Sequence, residues 1–208
     1  AAAKRSNHGE APSSLQTSWM YMVRHAARAK PVTERYSRKA LEAVGAALPR
    51  AVKKPSDFAD LPEMLGRAGV RLVYVPALPG AKIDGCAMIV DQTRVIGLSG
   101  RGKRLDKVLF ALVHEIAHLT RGHVKEDQPI VETIEVDDDP DDDSDEATQE
   151  REANATAAGW ILPNGLPQLP DRLSGPWVIQ AAADADLAPI VFVGHLQHLR
   201  KLDWRTTL

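Results

Sequence analysis

The chain has 208 residues, a formal net charge of −2 and a single cysteine, which fits one domain, or one with a small appendage, and excludes a disulfide-rich scaffold. With 44% apolar and 26% charged residues it reads as an ordinary globular chain. No apolar run reaches the roughly 18 residues of a membrane span, and no apolar stretch follows the N-terminal charges as in a secretory signal, so a cytoplasmic location is the expectation.

Charge is spread unevenly. Residues 132–152 hold twelve acids against one base, Arg151, whereas residues 1–54 hold eleven bases against three acids. The basic start admits contact with nucleic acid or an acidic partner as readily as a plain solvated helical face. No recognition helix accompanies it, so a nucleic-acid role rests on charge alone.

In chain order, residues 1–18 are small and polar and read as a disordered tail. Residues 19–55 form an N-terminal helical segment, divided in two because Pro31 disfavours helix at Lys30, with a basic linker from Pro49 to Pro55. The core, residues 56–168, opens with a short helix over 60–68, stopped by Gly69. Three strands follow at Val70–Val75, Cys86–Val90 and Arg94–Leu98. The short turn Asp91-Gln92-Thr93 pairs the last two as a hairpin.

The best helical pattern comes next. Asp106 reads as its N-cap and Gly122 as its stop, with Leu105, Val108, Leu109, Leu112, Ile116 and Leu119 on one stripe. Residues 126–146 read as an acidic loop kept disordered by self-repulsion. A helix resumes from Ala147 to Ile161. Residues 169–208 form a C-terminal extension with helices near 176–185 and 193–202.

The strong helix carries His114-Glu115-Ile116-Ala117-His118, an HExxH. Histidines four apart share one helix face, so both imidazoles can reach one ion, and Glu115 lies beside them where it can hold a water and take its proton. Zinc suits imidazole nitrogen. Chance supplies such a pentapeptide in roughly one chain in eighty of this composition.

A catalytic zinc needs a third protein ligand. His123 is badly spaced for it: a three-histidine HExxHxxGxxH would need Gly and His where Arg121 and Val124 stand. The other solution is a glutamate from a later helix. At about 100° per residue, with position 150 at zero, Ala153, Ala157 and Ile161 fall within about 60° of Glu150, while Glu152 falls near 200°. Glu150 therefore faces inward and Glu152 faces water. A buried carboxylate needs a partner, which a metal ion supplies, and Asn154, one turn on, is placed to orient it.

HEIAHLTRGH followed by EREANATAAGWILP resembles the ImmA/IrrE-type metallopeptidase domain, whose pattern is HExxH and later ExxAN…A…P. The resemblance covers about residues 60–163 and extends more weakly to APIVFVGHLQH, which is similar to a tail of bacterial regulators carrying this domain behind a helix-turn-helix. It implies an α+β, zincin-like metallopeptidase with a small three-stranded sheet packed on the active-site helix, plus N- and C-terminal helices. It implies His114, His118 and Glu150 as ligands of Zn2+ and Glu115 as general base. The activity implied is zinc-dependent endopeptidase action on a regulatory protein such as a repressor. The alternative is a non-hydrolytic sensing or protein-binding domain of a transcription regulator or toxin–antitoxin system. The acidic run at 137–146, His195 where relatives tend to carry Arg, and the lack of an evident helix-turn-helix depart from the pattern. Tyr74, His123 and His195 stay open as oxyanion donors, and Cys86 reads as a small buried hydrophobe rather than a fourth ligand.

Overall fold

The computed structural model describes residues 4–5, 12–29, 32–126, 129–132 and 144–206. The break expected at Lys30-Pro31 and the acidic run at 137–143 lie outside these residues. The fold is mixed α+β. Among the described residues no single helix is long and apolar enough to cross a membrane.

Five strands form one mixed sheet: β1 (Lys4–Arg5), β2 (Val70–Tyr74), β3 (Gly85–Val90), β4 (Thr93–Leu98) and β5 (Ile130–Glu132), in the order β1-β5-β3-β4-β2. The expected hairpin is β3–β4, closed by Asp91 at φ 48° and Gln92 at φ 65°. Two successive positive φ values give the turn the twist that antiparallel strands require. β2 joins β4 in parallel, Val70 opposite Arg94. Besides the three expected strands, the sheet carries β5, antiparallel to β3, and β1, parallel to β5.

Side chains alternate across this sheet, so each face has its own core. Leu72, Ala87, Ile96 and Leu98 meet the long helix α4 (Leu105–Arg121), together with Leu109, Leu112, Val113 and Ile116. Cys86, Met88, Val90 and Val95 meet helix α1 (Ser14–Ala29) through Trp19, Met20, Val23 and Ala27. Trp19 donates from Nε1 to the Val75 carbonyl at 2.9 Å, which satisfies the one polar atom of a fully buried indole.

The remaining helices wrap α4. They are α2 (Arg38–Ala51), α5 (Asp145–Ile161) and α7 (Pro189–His198), with α3 (Leu61–Gly66) under β2 and α6 (Gly175–Asp184) against α7. Helix α2 meets α5 at Gly45, where a Cβ would stand 2.7 Å from the Trp160 ring, so the close approach needs glycine. Arg50 donates to the carbonyls of Trp160 and, at 2.9 Å, Ile161, closing the C-terminal end of α5.

Several boundaries differ from expectation. Helix α1 begins at Ser14, not Trp19, because Ser13 and Gln16 cap each other: Ser13 N–H donates to Gln16 Oε1 at 2.9 Å and Gln16 N–H to Ser13 Oγ at 3.3 Å. The Pro49–Pro55 linker is shortened, since α2 runs to Ala51 and Pro55–Ala59 is a 3-10 helix. Arg104, not Asp106, is the cap of α4. Asp106 lies inside the first turn, buried, with Arg104 Nη2 2.7 Å from its Oδ2. Helix α5 starts at Asp145 behind a Ser144 cap, and β5 interrupts the expected 126–146 loop. The last helix is four residues earlier than expected, with Pro189 in its first turn.

Candidate metal centre

Helix α4 ends as predicted at Gly122, φ 78°. One and two turns earlier its inward face carries His118 and His114, both with no solvent exposure. Their Nε2 atoms lie 2.8 Å apart. Glu150, 5% exposed, arrives from α5 on the face it shares with Ala153, Ala157 and Ile161. Its Oε2 is 3.2 Å from His114 Nε2 and its Oε1 3.0 Å from His118 Nε2. Residues 114 and 150 thus meet across the acidic segment that separates them in sequence.

These three side chains form a group that could hold a metal ion, one donor atom from each lying within 4.8 Å of the others. A tetrahedral ion with bonds of about 2.0–2.1 Å sets its ligand atoms about 3.3–3.4 Å apart. The 2.8–3.2 Å separations among these atoms are close to that spacing. Burial opposes ionisation of Glu150, but the hydrogen bonds and charge of His114 and His118 outweigh it and hold its carboxyl down at about 2. As a donor set, two imidazoles with one carboxylate suit a borderline dication.

Glu115 is also fully buried. It turns toward the first residue of β3: a Cβ on Gly85 would stand 2.9 Å from its Oε1 and 3.2 Å from its Cγ. Gly85 therefore makes the space this carboxylate occupies, a role that sequence periodicity does not reveal. The next residue, Cys86, points to the α1 side and lies outside the metal-ligand group. Burial, and secondarily the Glu115 charge, push its thiol well above the ordinary value.

From the sequence, His123 is badly spaced to be a ligand but open as an oxyanion donor, and Glu152 is expected to face water. Glu152 does face water, its side chain 54% exposed, yet its Oε2 lies 3.2 Å from His123 Nε2. His123 Nδ1 in turn lies 3.0 Å from His118 Nδ1. The cause is the helix cap: with Gly122 left-handed, the chain folds back and His123 N–H donates to the His118 carbonyl at 3.1 Å. Burial depresses the His123 imidazole below its usual range, against the pull of Glu152. Gly-His directly after the helix is the signal that could have placed this ring.

The other suggested participants lie elsewhere. Tyr74 donates its hydroxyl to the Phe58 carbonyl at 2.8 Å. His195 lines a cavity of about 20 Å³ with Asp106, Phe110 and His198. Among the described residues no hydrogen bond joins Asn154 to the ligands. Comparisons with protein-family models, with curated proteins and with solved structures found no match for this chain.

Proposed function

We propose that the chain is a zinc-dependent peptide hydrolase of the zincin type, similar to ImmA/IrrE-type domains, acting on a regulatory protein. The observation that carries this reading is the meeting of His114, His118 and Glu150 in one buried group with Glu115 alongside on the same helix.

When bound, zinc would supply a Lewis acid that polarises a peptide carbonyl and acidifies a water. His114, His118 and Glu150 would hold it, leaving a tetrahedral set one position short. Glu115 accepts the proton as the water oxygen bonds to the carbonyl carbon. It returns that proton to the amide nitrogen as the C–N bond breaks. Gly85, with no side chain, leaves room for the Glu115 carboxylate at the start of β3. The helices around α4 exclude bulk water, which strengthens each of these interactions.

The complete burial of His114, Glu115 and His118 supports a second reading, a metal-stabilised sensing or docking domain of a regulator that does not turn over. One experiment separates them. A denatured-proteome peptide library is incubated with zinc-loaded wild type and with Glu115→Gln, and new N-termini are read by mass spectrometry. Hydrolysis predicts termini made by the wild type and lost with Glu115→Gln or a chelator. Termini undiminished in Glu115→Gln remove it as the base, and a wild type that makes none supports the second reading.

A further inference from the structure

We propose that His123 and Glu152 form a hydrogen-bonded relay that fixes His118 as an Nε2 ligand, making them positioning residues of the metal centre. The inference rests on the metal reading above, and it concerns residues that lie behind the ligands rather than among them.

The protons follow from the network, each tautomer setting the next. His118 turns Nε2 toward His114 and Glu150, so that nitrogen must offer a lone pair to a cation. Its proton then sits on Nδ1, 3.0 Å from His123 Nδ1. Two Nδ1 atoms at that distance need one donor and one acceptor, so His123 Nδ1 accepts. The His123 proton is thereby placed on Nε2, which donates to Glu152 Oε2 at 3.2 Å. Both nitrogens of His123 are spent in this way, so it is not itself a ligand.

Geometry locks the relay from both ends. The His123 backbone is tied to the His118 carbonyl by the capping turn, and its ring stands edge-on to the His118 ring with centroids 5.1 Å apart. Glu152 comes from α5, two residues from the ligand Glu150. The same two helices therefore supply a ligand and a support each: α4 and its cap give His118 and His123, α5 gives Glu150 and Glu152. A carboxylate at the end of the chain raises the basicity of the ligand nitrogen and holds its ring orientation.

The test uses the full chain and zinc itself, titrated against a chromophoric chelator, with the absorption of the cobalt-substituted protein as a second readout. Glu152→Gln keeps shape and exposure and should weaken zinc about threefold to tenfold. His123→Leu, which keeps volume but cannot accept a proton, should weaken it about 10- to 100-fold and change the cobalt bands. His123→Gln restores an acceptor and should recover most of the loss, which a purely structural role would not reproduce. If the wild type binds one zinc and all three variants match it in affinity and cobalt spectrum, the relay is wrong while the metal centre stands. A wild type that binds no zinc overturns both.

Discussion

Helices α4 and α5 build the same centre by opposite means. Of the seventeen residues of α4, fourteen are buried, and the sheet, α2, α5 and α7 all pack against it. Of the seventeen of α5, only Glu150, Ala153, Ala157 and Ile161 are buried. Its fully buried apolar groups are two methyls and one isoleucine, with Trp160 half-buried against Gly45. The apolar core encloses α4, while α5 has a thinner apolar seam and adds polar anchors, Glu150 toward one end and Arg50 at the other. On the proposed function, a cation would fasten α5 to an α4 already held by the core.

The largest effect that would break this comparison is loss of a ligand. His118→Ala and Glu150→Ala should each weaken zinc by about 100-fold or more, since three ligands become two. In the zinc-free chain, amide exchange should speed up over residues 147–153 and stay slow over 109–118. Equal protection of both stretches without metal would contradict the division of labour.

Gly85→Ala comes next. Its methyl, 2.9 Å from Glu115 Oε1, should displace that carboxylate and cut hydrolysis by about 100-fold, with zinc content unchanged. Full activity in this variant would mean that Glu115 is not held as described.

A smaller effect tests how dry the surroundings of α4 are. His195 on α7 is buried, and that burial, with the nearby His198, depresses its imidazole from 6.5 to about 4. Above pH 6.5 folded and unfolded chains both carry it neutral, so it leaves stability untouched. As pH falls from 6.5 toward 4 only the unfolded chain takes up the proton, and stability is lost. Between pH 7.5 and 4.5, His195→Leu should lose about 2–3 kcal/mol less than wild type in urea titrations. Parallel losses would show His195 to be hydrated.

Arg50→Met should cost about 1–2 kcal/mol and loosen the last turn of α5, because two carbonyls lose their donors. As a lower bound, Arg67→Ala removes an ion pair with Glu63 whose side chains are 78% and 75% exposed, and should change stability by less than about 0.5 kcal/mol.

What could be read from sequence follows the same contrast. The α4 stripe, the Gly122 stop and the HExxH pair were legible because a buried helix writes its period in apolar residues. The inward facing of Glu150 was legible through helical phase, and Glu150 is buried on the face it shares with Ala153 and Ala157. Strands β1 and β5, of two and three residues, are set by pairing with distant chain and have no period to show. The start of α1 was written in Ser13-x-x-Gln16, a reciprocal cap overlooked among polar neighbours. His123 could not be placed by periodicity, since a left-handed glycine resets the chain direction just before it.

X-ray absorption at the zinc edge of the metal-loaded chain tests the central claim most directly. Two imidazole nitrogens at about 2.0–2.1 Å and a carboxylate oxygen at about 2.0–2.2 Å, from one zinc per chain, are the predicted shell, and the single-imidazole spectrum should appear in His118→Ala. A sulfur scatterer near 2.3 Å, or a spectrum unchanged in Glu150→Ala, would contradict a centre built from His114, His118 and Glu150.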